Sequence, residues 1–219
     1  MILEPGSKLL FIGDSVTDCG RSQPIGEGLG DALGRGYVSL VDSLLGAAHP
    51  ELGIRVVNVG TSGQTVRDLQ ARWKRDVLDL RPDWLSVMIG INDVWHGEND
   101  PARGTSVEKF EEGMKDIIAR IQKAGAKVIV CTPSVIGEKT GGANELDKRL
   151  DTYSDLSRKV AKETHSRLCD LRLVFADYLK DHNDKNKEAG ILTGDRVHLN
   201  DAGNKLVAES ILKVLDPAE

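Results

Sequence analysis

Four short polar motifs in this sequence carry the residue types from which serine nucleophile chemistry is built. In chain order they are GDS at 13–15, GTSG at 60–63, GIND at 90–93 and DRVH at 195–198. A hydroxyl, an imidazole and a carboxylate in hydrogen-bond contact activate the hydroxyl for attack on a carbonyl carbon. The sequence therefore suggests acyl-transfer chemistry, provided that the fold brings the four motifs together.

Asp195 and His198 have a spacing that suits a carboxylate and the imidazole that it orients. On a turn, a three-residue offset lets both side chains lie on one side. The Asp195 carboxylate then accepts from Nδ1–H of His198, and Nε2 is left to take a proton from Ser15. Taken alone, an Asp/His pair at this spacing is more often a surface or capping pair.

The remaining motifs offer hydrogen-bond donors for the oxyanion that acyl transfer generates. If a helix starts at Ser15, the N–H of that residue points towards the oxyanion. Gly60 allows close backbone approach and offers a second N–H, and the side-chain amide of Asn92 supplies a third donor. Each of these motifs on its own is also the composition of an ordinary polar turn or helix cap.

Five apolar runs alternate with these motifs and predict buried strands. Continuous runs rich in Val, Ile and Leu are typical of parallel strands that are covered on both faces. Three of the four motifs directly follow or end such a run. The predicted strands are Lys8–Gly13, Ile54–Val59, Trp84–Ile89, Lys127–Cys131 and Arg167–Leu171.

The segments between the strands have apolar residues at steps of three or four, which predicts amphipathic helices. Thr105 and Glu108 suggest a capping box at the start of one helix, and Gly125 suggests its end. The apolar stripes comprise Val66, Leu69, Trp73, Val77 and Leu80; Val107, Phe110, Met114, Ile117 and Ile121; Leu146, Leu150, Tyr153, Leu156 and Val160; and Leu206, Val207, Ile211 and Leu215.

The alternation of strands and helices predicts one α/β domain over residues 1–219, a three-layer α/β/α sandwich. Right-handed crossovers favour a doubly wound sheet, and a five-stranded parallel flavodoxin-like sheet is the expected form. Ligands bind such sheets beyond the carboxyl ends of the strands, where the motifs fall. The glycine-rich segments 20–36 and 132–144 are expected to be loops on this edge, either shaping a substrate pocket or simply connecting elements.

Composition and charge disfavour several other classes of protein. The 219 residues are 40% hydrophobic with a net charge of -5 and scattered Lys and Arg, so nucleic-acid binding is not expected. The chain has no GxGxxG motif, no P-loop and no Cys/His cluster, so neither an organic cofactor nor a metal is expected. It has no membrane-spanning stretch and no signal-like N-terminus, so the expected location is the cytoplasm, away from membranes.

Taken together, in order and at successive strand ends, the motifs resemble those of the SGNH hydrolases, also called GDSL-type esterases. The resemblance spans residues 11–203. Val16 and Leu199 stand where this family usually has Leu and Pro, and neither position carries chemistry. The chain lacks the GxSxG elbow of α/β-hydrolases, so a more open site is expected. The resemblance implies a nucleophile, Ser15; a base, His198; an orienting carboxylate, Asp195; and oxyanion donors, Ser15, Gly60 and Asn92.

Longer strings resemble, more narrowly, bacterial SGNH acetylesterases that deacetylate xylo-oligosaccharides. They are FIGDSVTDCGR at 11–21, GIRVVN at 53–58, TVRDLQARW at 65–73 and MIGINDVW at 88–95. This resemblance implies a carboxylic ester hydrolase acting on acetyl esters of carbohydrates, in the cytoplasm and as a homo-oligomer. The alternative is an SGNH lysophospholipase or thioesterase that prefers longer acyl chains. The intact Ser15, Asp195 and His198 set argues against a catalytically silent binding module.

Three further residues close to the motifs are candidates for the site. Trp95 comes three residues after Asn92 and is expected either to line the substrate site or to pack under the loop. Asp14 is expected to hold the turn before Ser15 through side-chain to backbone hydrogen bonds. Arg21 is expected to bind a substrate oxygen or to form a salt bridge.

Overall fold

The five apolar runs form a parallel sheet in the computed structural model, which describes residues 1–100 and 102–217. The strands are β1 Lys8–Gly13, β2 Arg55–Asn58, β3 Trp84–Met88, β4 Lys127–Cys131 and β5 Arg167–Cys169. Their order across the sheet is β2-β1-β3-β4-β5, so the predicted flavodoxin-like topology is confirmed. The predicted bounds of β2, β3 and β5 extend one or two residues beyond the observed ends.

The inner strands are covered on both faces, which explains why their sequences are continuous apolar runs. Every residue of β3 is buried, and in β1 only Lys8 is partly exposed. The backbone of β1 pairs on both sides, with Leu10 opposite Val57 of β2 and Leu85 of β3. The buried apolar side chains belong to one connected core, which holds the ends of β1, β2 and β3 at fixed positions.

Helices lie on both sides of the sheet, and the predicted three-layer α/β/α sandwich is confirmed. A π-helical turn at Lys74–Leu78 continues α3. Within the described ranges, no helix is long and apolar enough to cross a membrane. The helices are α1 Ser15–Asp18, α2 Tyr37–Ala48, α3 Val66–Trp73, α4 Ile91–Asn99, α5 Val107–Lys123, α6 Glu145–Glu163, α7 Leu171–His182 and α8 Asp201–Leu215.

Helix α5 starts one residue later than its sequence suggests. Ser106 is the N-cap, and its hydroxyl accepts from the N–H of Lys109 at 3.3 Å. The predicted capping box of Thr105 and Glu108 is therefore wrong. Thr105 is buried, and its backbone oxygen accepts a hydrogen bond from the hydroxyl of Tyr153, so this residue serves packing against α6 instead.

The carboxyl ends of three neighbouring strands converge at one edge of the sheet. Ser15 follows β1, Gly60 comes two positions after the end of β2, and Asn92 follows β3 at the start of α4. The N–H of Thr61 donates to the oxygen of Gly13 at 3.0 Å, which ties the first two of these ends together. The segments 20–36 and 132–144 are irregular, as predicted, apart from a short 3-10 turn in the first.

Candidate active site

Ser15, His198 and Asp195 form a continuous hydrogen-bonded chain at this edge of the sheet. Ser15 Oγ lies 2.9 Å from His198 Nε2, and His198 Nδ1 lies 2.6 Å from Asp195 Oδ2. The side chains of His198 and Asp195 are 49% and 56% exposed, so the site is open to solvent. The structure thus brings together the three side chains that the sequence predicts as nucleophile, base and orienting carboxylate, with the reacting nitrogen facing the hydroxyl.

The turn that carries Asp195 and His198 is held by the Asp195 side chain itself. Its Oδ1 accepts from the N–H of His198 at 2.8 Å and from the N–H of Val197 at 3.2 Å, while Oδ2 contacts the imidazole. Partial burial favours a higher pKa, but these hydrogen bonds outweigh it and lower the pKa of Asp195 below its ordinary value. The carboxylate therefore stays charged at neutral pH and fixes the imidazole with Nδ1–H towards it.

Asp14 begins the short helix on which Ser15 stands. Its Oδ1 accepts from the N–H of Val16 at 3.0 Å, which confirms the predicted role in holding the turn. Burial raises the pKa of Asp14 to about 7, a hydrogen bond from Val16 opposes this rise, and nearby Asp93 adds to it. Among the described residues, the backbone N–H of Ser15 donates to no acceptor. That N–H lies at the start of α1 and remains available to a negatively charged oxygen.

Gly60 has a different task from the expected one. Its N–H donates to Asn58 Oδ1 at 2.8 Å, so this amide is not free for an oxyanion. A Cβ at position 60 would lie 2.5 Å from the nitrogen of Asp18 and 2.7 Å from the carbonyl carbon of Thr17. Gly60 therefore allows β2 to approach α1 closely. In the same turn, Gly63 is exposed, and its N–H has no acceptor within the described part of the chain.

Asn92 is buried at the start of α4, with its side chain turned towards the turn that follows β2. Its Nδ2 donates one hydrogen to the backbone oxygen of Gln64 at 3.0 Å. The next residue, Asp93, accepts from the N–H of Val66 at 3.1 Å and so caps α3. Burial raises the pKa of Asp93 to about 6. Both side chains join α4 to the 60–66 segment, and the second amide hydrogen of Asn92 is left for another acceptor.

Arg72 connects the ends of β1 and β2, and no motif in the sequence pointed to it. This buried guanidinium donates to the oxygens of Val59 at 2.7 Å and Gly13 at 3.4 Å. It also donates to Gln64 Oε1 at 2.5 Å and to Asp76 at 2.9 Å. Its position beside the apolar stripe of α3 was the available signal, because a charged side chain on a core-facing helix surface needs buried partners.

Among the described residues Arg21 forms no salt bridge, and its hydrogen bonds hold the turn after β2 instead. Its side chain is buried and donates from Nε to the oxygen of Gly60 at 2.6 Å. Its Nη1 donates to the oxygens of Ser22 and Pro24 at 2.9 and 2.8 Å. Its Nη2 donates to Thr61 Oγ1 at 3.4 Å, so the guanidinium braces the turn after β2. Neither substrate nor an acidic side chain is needed to explain its burial.

Trp95 lies on α4, three residues after Asn92, and is 36% exposed. Of its two predicted roles, packing under a loop would bury the indole more completely. The partial exposure of Trp95 therefore does not fit the packing role.

The protein is similar over most of its length to known ester hydrolases. The profile of the GDSL-like Lipase/Acylhydrolase family matches residues 11–206. An acetylxylan esterase of Geobacillus stearothermophilus is 42% identical over 219 residues, covering 97% of this chain and 95% of the relative. The crystal structure of Axe2, an acetylxylan esterase from that species, superposes with a TM-score of 0.91 at 40% identity, covering 100% of this chain and 98% of that one. LAE5, an alpha/beta hydrolase enzyme from the metagenome of Lake Arreo, Spain, superposes with a TM-score of 0.89 at 39% identity, covering 98% and 97%.

Several of the similar Axe2 structures are of catalytic mutants. In these a serine, a histidine or an aspartate of that protein is replaced by alanine. The same three residue types form the hydrogen-bonded chain described above. The likeness therefore extends from the fold to the kinds of side chain at the edge of the sheet.

Proposed function

The chain belongs to the GDSL-like lipase/acylhydrolase family, and from that premise we propose that it is a serine esterase that removes acetyl groups from xylo-oligosaccharides or related carbohydrates. One observation carries the proposal, namely the two hydrogen bonds of His198. Its Nδ1 lies 2.6 Å from Asp195 Oδ2, and its Nε2 lies 2.9 Å from Ser15 Oγ. The acetyl specificity is supported by 42% identity to an acetylxylan esterase over nearly the whole chain.

The proposed reaction has two halves with the same chemistry. Ser15 Oγ attacks the acyl carbonyl carbon while His198 Nε2 takes its proton, and Asp195 stabilises the imidazolium that forms. The tetrahedral intermediate collapses, the sugar hydroxyl leaves with the proton from His198, and acetyl-Ser15 remains. Water, activated by His198, then attacks this ester and releases acetate. Neither half requires a metal or an organic cofactor.

The proposed oxyanion donors come from three different strand ends. The N–H of Ser15 and the second amide hydrogen of Asn92 have no competing acceptor among the described residues. The sequence points to Gly60 as the third donor, but the N–H of Gly60 already donates to Asn58 Oδ1. We assign the role to the exposed N–H of Gly63 in the same turn. Donors fixed before the reaction stabilise the developing charge without reorganisation.

Acetate release from acetylated xylo-oligosaccharides is the direct test, with 4-nitrophenyl acetate and 4-nitrophenyl octanoate beside it. We expect acetate release, a preference for acetate over octanoate, and loss of activity by at least about 10³-fold in Ser15→Ala. Ser43→Ala, an exposed serine on α2, is the matched control. Preference for octanoate with no acetate from the sugar would assign the substrate to lipids or thioesters. Full activity in Ser15→Ala would refute the mechanism.

Trp95 is proposed to line the substrate site. Its partly exposed indole lies on the same helix as Asn92, and an aromatic face packs well against the apolar face of a sugar ring. Trp95→Ala is expected to raise KM for the acetylated oligosaccharide more than KM for 4-nitrophenyl acetate. An equal change for both esters would contradict a sugar-binding role.

The location and assembly of the enzyme complete the proposal. On the family resemblance, it acts in the cytoplasm on short oligosaccharides and assembles as a homo-oligomer, and the 219 residues fold as one domain. Cell fractionation with activity measurement tests the first point. Light scattering coupled to size exclusion tests the second, and a single thermal transition tests the third.

A further inference from the structure

Glu138 is a buried carboxylate outside the hydrogen-bonded chain of Ser15, and it lies in the loop between β4 and α6. Its side chain is 0% exposed. Oε2 accepts from the N–H of Ile191 at 2.8 Å. Oε1 accepts from the N–H of Leu192 at 2.7 Å and from the N–H and hydroxyl of Thr193 at 2.5 and 2.7 Å. One carboxylate thus binds three consecutive residues of the segment that leads to Asp195.

These hydrogen bonds explain how the charge can be buried. A carboxylate removed from water is costly unless several donors replace the lost hydration. Within the described ranges, no Lys, Arg or His forms an ion pair with Glu138, so the four donors from residues 191–193 carry that compensation. Because each donor must point at one of two oxygens, the path of this backbone segment is dictated by the position of Glu138.

The same loop also donates two backbone hydrogen bonds to residues on either side of 191–193. The N–H of Gly137 donates to the oxygen of Arg196 at 2.7 Å, and the N–H of Glu138 donates to the oxygen of Glu188 at 2.9 Å. Arg196 has a φ of +89°, which is strained for a residue with a side chain. Such a conformation persists only where its surroundings hold it. The loop at 136–138 therefore holds the turn at Arg196, which lies between Asp195 and His198 in the chain.

Residues 193–199 pass this anchoring on to the imidazole. Thr193 and Leu199 form an antiparallel bridge, and the N–H of Gly194 donates to the oxygen of His198 at 2.8 Å. The two ends of the turn are therefore joined to each other, and Glu138 holds the end at Thr193. A shift of Thr193 would move the whole turn, and with it the ring of His198, relative to Ser15. Ser15 is fixed separately at the end of β1.

We propose that Glu138 is a positioning residue for ester hydrolysis, which sets the approach of His198 Nε2 to Ser15 Oγ by anchoring residues 191–193. The inference rests on the proposed esterase function. Glu138 does not touch the substrate or the reacting atoms, and it acts through the position of the base. A displacement of about 1 Å between reacting groups lowers rates by about 10²-fold.

The test is Glu138→Gln, which keeps the shape of the side chain and one accepting oxygen. Its NH₂ group faces the N–H of Ile191, so two donors oppose each other and the segment must shift. At a temperature where circular dichroism shows a folded protein, we expect kcat for 4-nitrophenyl acetate to fall about 10- to 100-fold, with KM within about twofold. The rate at which diisopropyl fluorophosphate modifies Ser15 should fall by a similar factor, because this reaction also needs His198 in place.

Asp170→Asn is the matched control for a purely structural effect. The Asp170 carboxylate also accepts several hydrogen bonds, including two from Arg158 at 2.8 Å, but within the described ranges it forms no hydrogen bond or ion pair with residues 188–198. This variant is expected to lower Tm while kcat and the labelling rate stay within about twofold of wild type. If Glu138→Gln likewise keeps kcat and the labelling rate within twofold, whatever its Tm, the proposal is overturned.

Thr193 provides a second route if Glu138→Gln does not fold. Thr193→Val removes one of the four donors without changing volume, and a loss of kcat of about 3- to 10-fold is expected. Thr193→Ser restores the hydroxyl and should restore most of kcat. A folded Thr193→Val with wild-type kcat and labelling rate overturns the proposal. Failure of the proposed function is distinguishable, because the wild type would then hydrolyse neither 4-nitrophenyl acetate nor the acetylated sugar, or Ser15→Ala would keep full activity.

Discussion

The side-chain amide of Asn92 donates to the backbone oxygen of Gln64 at 3.0 Å, which joins the start of α4 to the turn after β2. Gln64 is in turn held through its own side chain by Arg72 at 2.5 Å. The free amide hydrogen of Asn92 is therefore directed by contacts that exist before any substrate binds. Preorganisation of this kind makes a single donor valuable in catalysis.

Replacing Asn92 by alanine should lower kcat for 4-nitrophenyl acetate by about 10²- to 10³-fold, because one oxyanion donor is lost. KM should change much less, since the donor acts on charge that develops in the transition state. Gln64→Ala keeps the backbone oxygen that Asn92 uses and is expected to lose less than about tenfold. Wild-type kcat in Asn92→Ala would remove Asn92 from the oxyanion site.

Arg72→Lys should lower both stability and rate. Lysine retains a charge but cannot donate at once to the oxygens of Gly13, Val59 and Gln64, so buried acceptors lose their partners. We expect Tm to fall by about 5 to 10 °C, and kcat to fall about tenfold as the strand ends loosen. Arg75→Lys is the control, because Arg75 pairs with the same Asp76 but is 76% exposed. Its Tm should change by less than about 2 °C.

Gly60 and Gly63 should respond oppositely to alanine, although they lie in one turn. In Gly60→Ala the new Cβ meets the backbone of α1 at 2.5 Å, so Ser15 must move, and both Tm and kcat should fall sharply. In Gly63→Ala the Cβ meets no atom within 4 Å, and only the φ of +78° adds strain, of about 1 kcal/mol. Its N–H is retained, and kcat should stay within about tenfold of wild type. Equal losses would contradict these separate roles.

Asp14→Asn should stabilise the protein more at pH 8 than at pH 5. Burial raises the pKa of Asp14 from 3.8 to about 7, so the folded protein binds this proton more tightly than the unfolded chain. The stability that protonation provides is complete below about pH 4 and is lost as the pH rises to about 7. Asparagine is never charged and can still accept from Val16. The difference in Tm between variant and wild type should therefore be larger at pH 8, by on the order of 5 °C.

Thermal unfolding at the two pH values checks this prediction. Asp31→Asn is the control, because Asp31 is exposed and its bond to Arg35 lowers its pKa, so no stabilisation at pH 8 is expected. An Asp14→Asn variant whose gain in Tm is equal at pH 5 and pH 8 would show that Asp14 is not protonated in the folded protein near neutral pH.

The sheet and the hydrogen-bonded chain of Ser15 were predictable because local patterns encode them. Buried parallel strands leave continuous apolar runs, and the strand ends and the Asp195/His198 spacing restrict where polar side chains can meet. Helices α2, α4 and α7 were not among the predicted apolar stripes. In α2 the exposed Leu44 lies outside the buried stripe, and in α7 Leu173 is exposed, so apolar residues on the outer side blur the amphipathic period of both helices.

The supporting contacts could not be predicted from sequence alone. Glu138 stands in a glycine-containing loop, where an acidic residue is ordinarily solvated, and only the fold brings residues 191–193 around it. The structural roles of Arg21 and Gly60 were missed for a related reason. Arg21 donates to the backbone oxygen of Gly60, and Gly60 lies against the backbone of Thr17 and Asp18, so both roles depend on contacts that span tens of residues. Long-range partners of a polar group leave no local pattern.

Ser15 and His198 are separated by 183 positions in the chain, yet their side chains meet at 2.9 Å. The entropy of closing so long a loop makes this contact unfavourable until the intervening strands have paired. During refolding, secondary structure and burial should therefore recover before the hydroxyl becomes nucleophilic. A partly folded chain should therefore be inactive, and the return of activity should report the docking of the segment that carries His198 onto the paired strands.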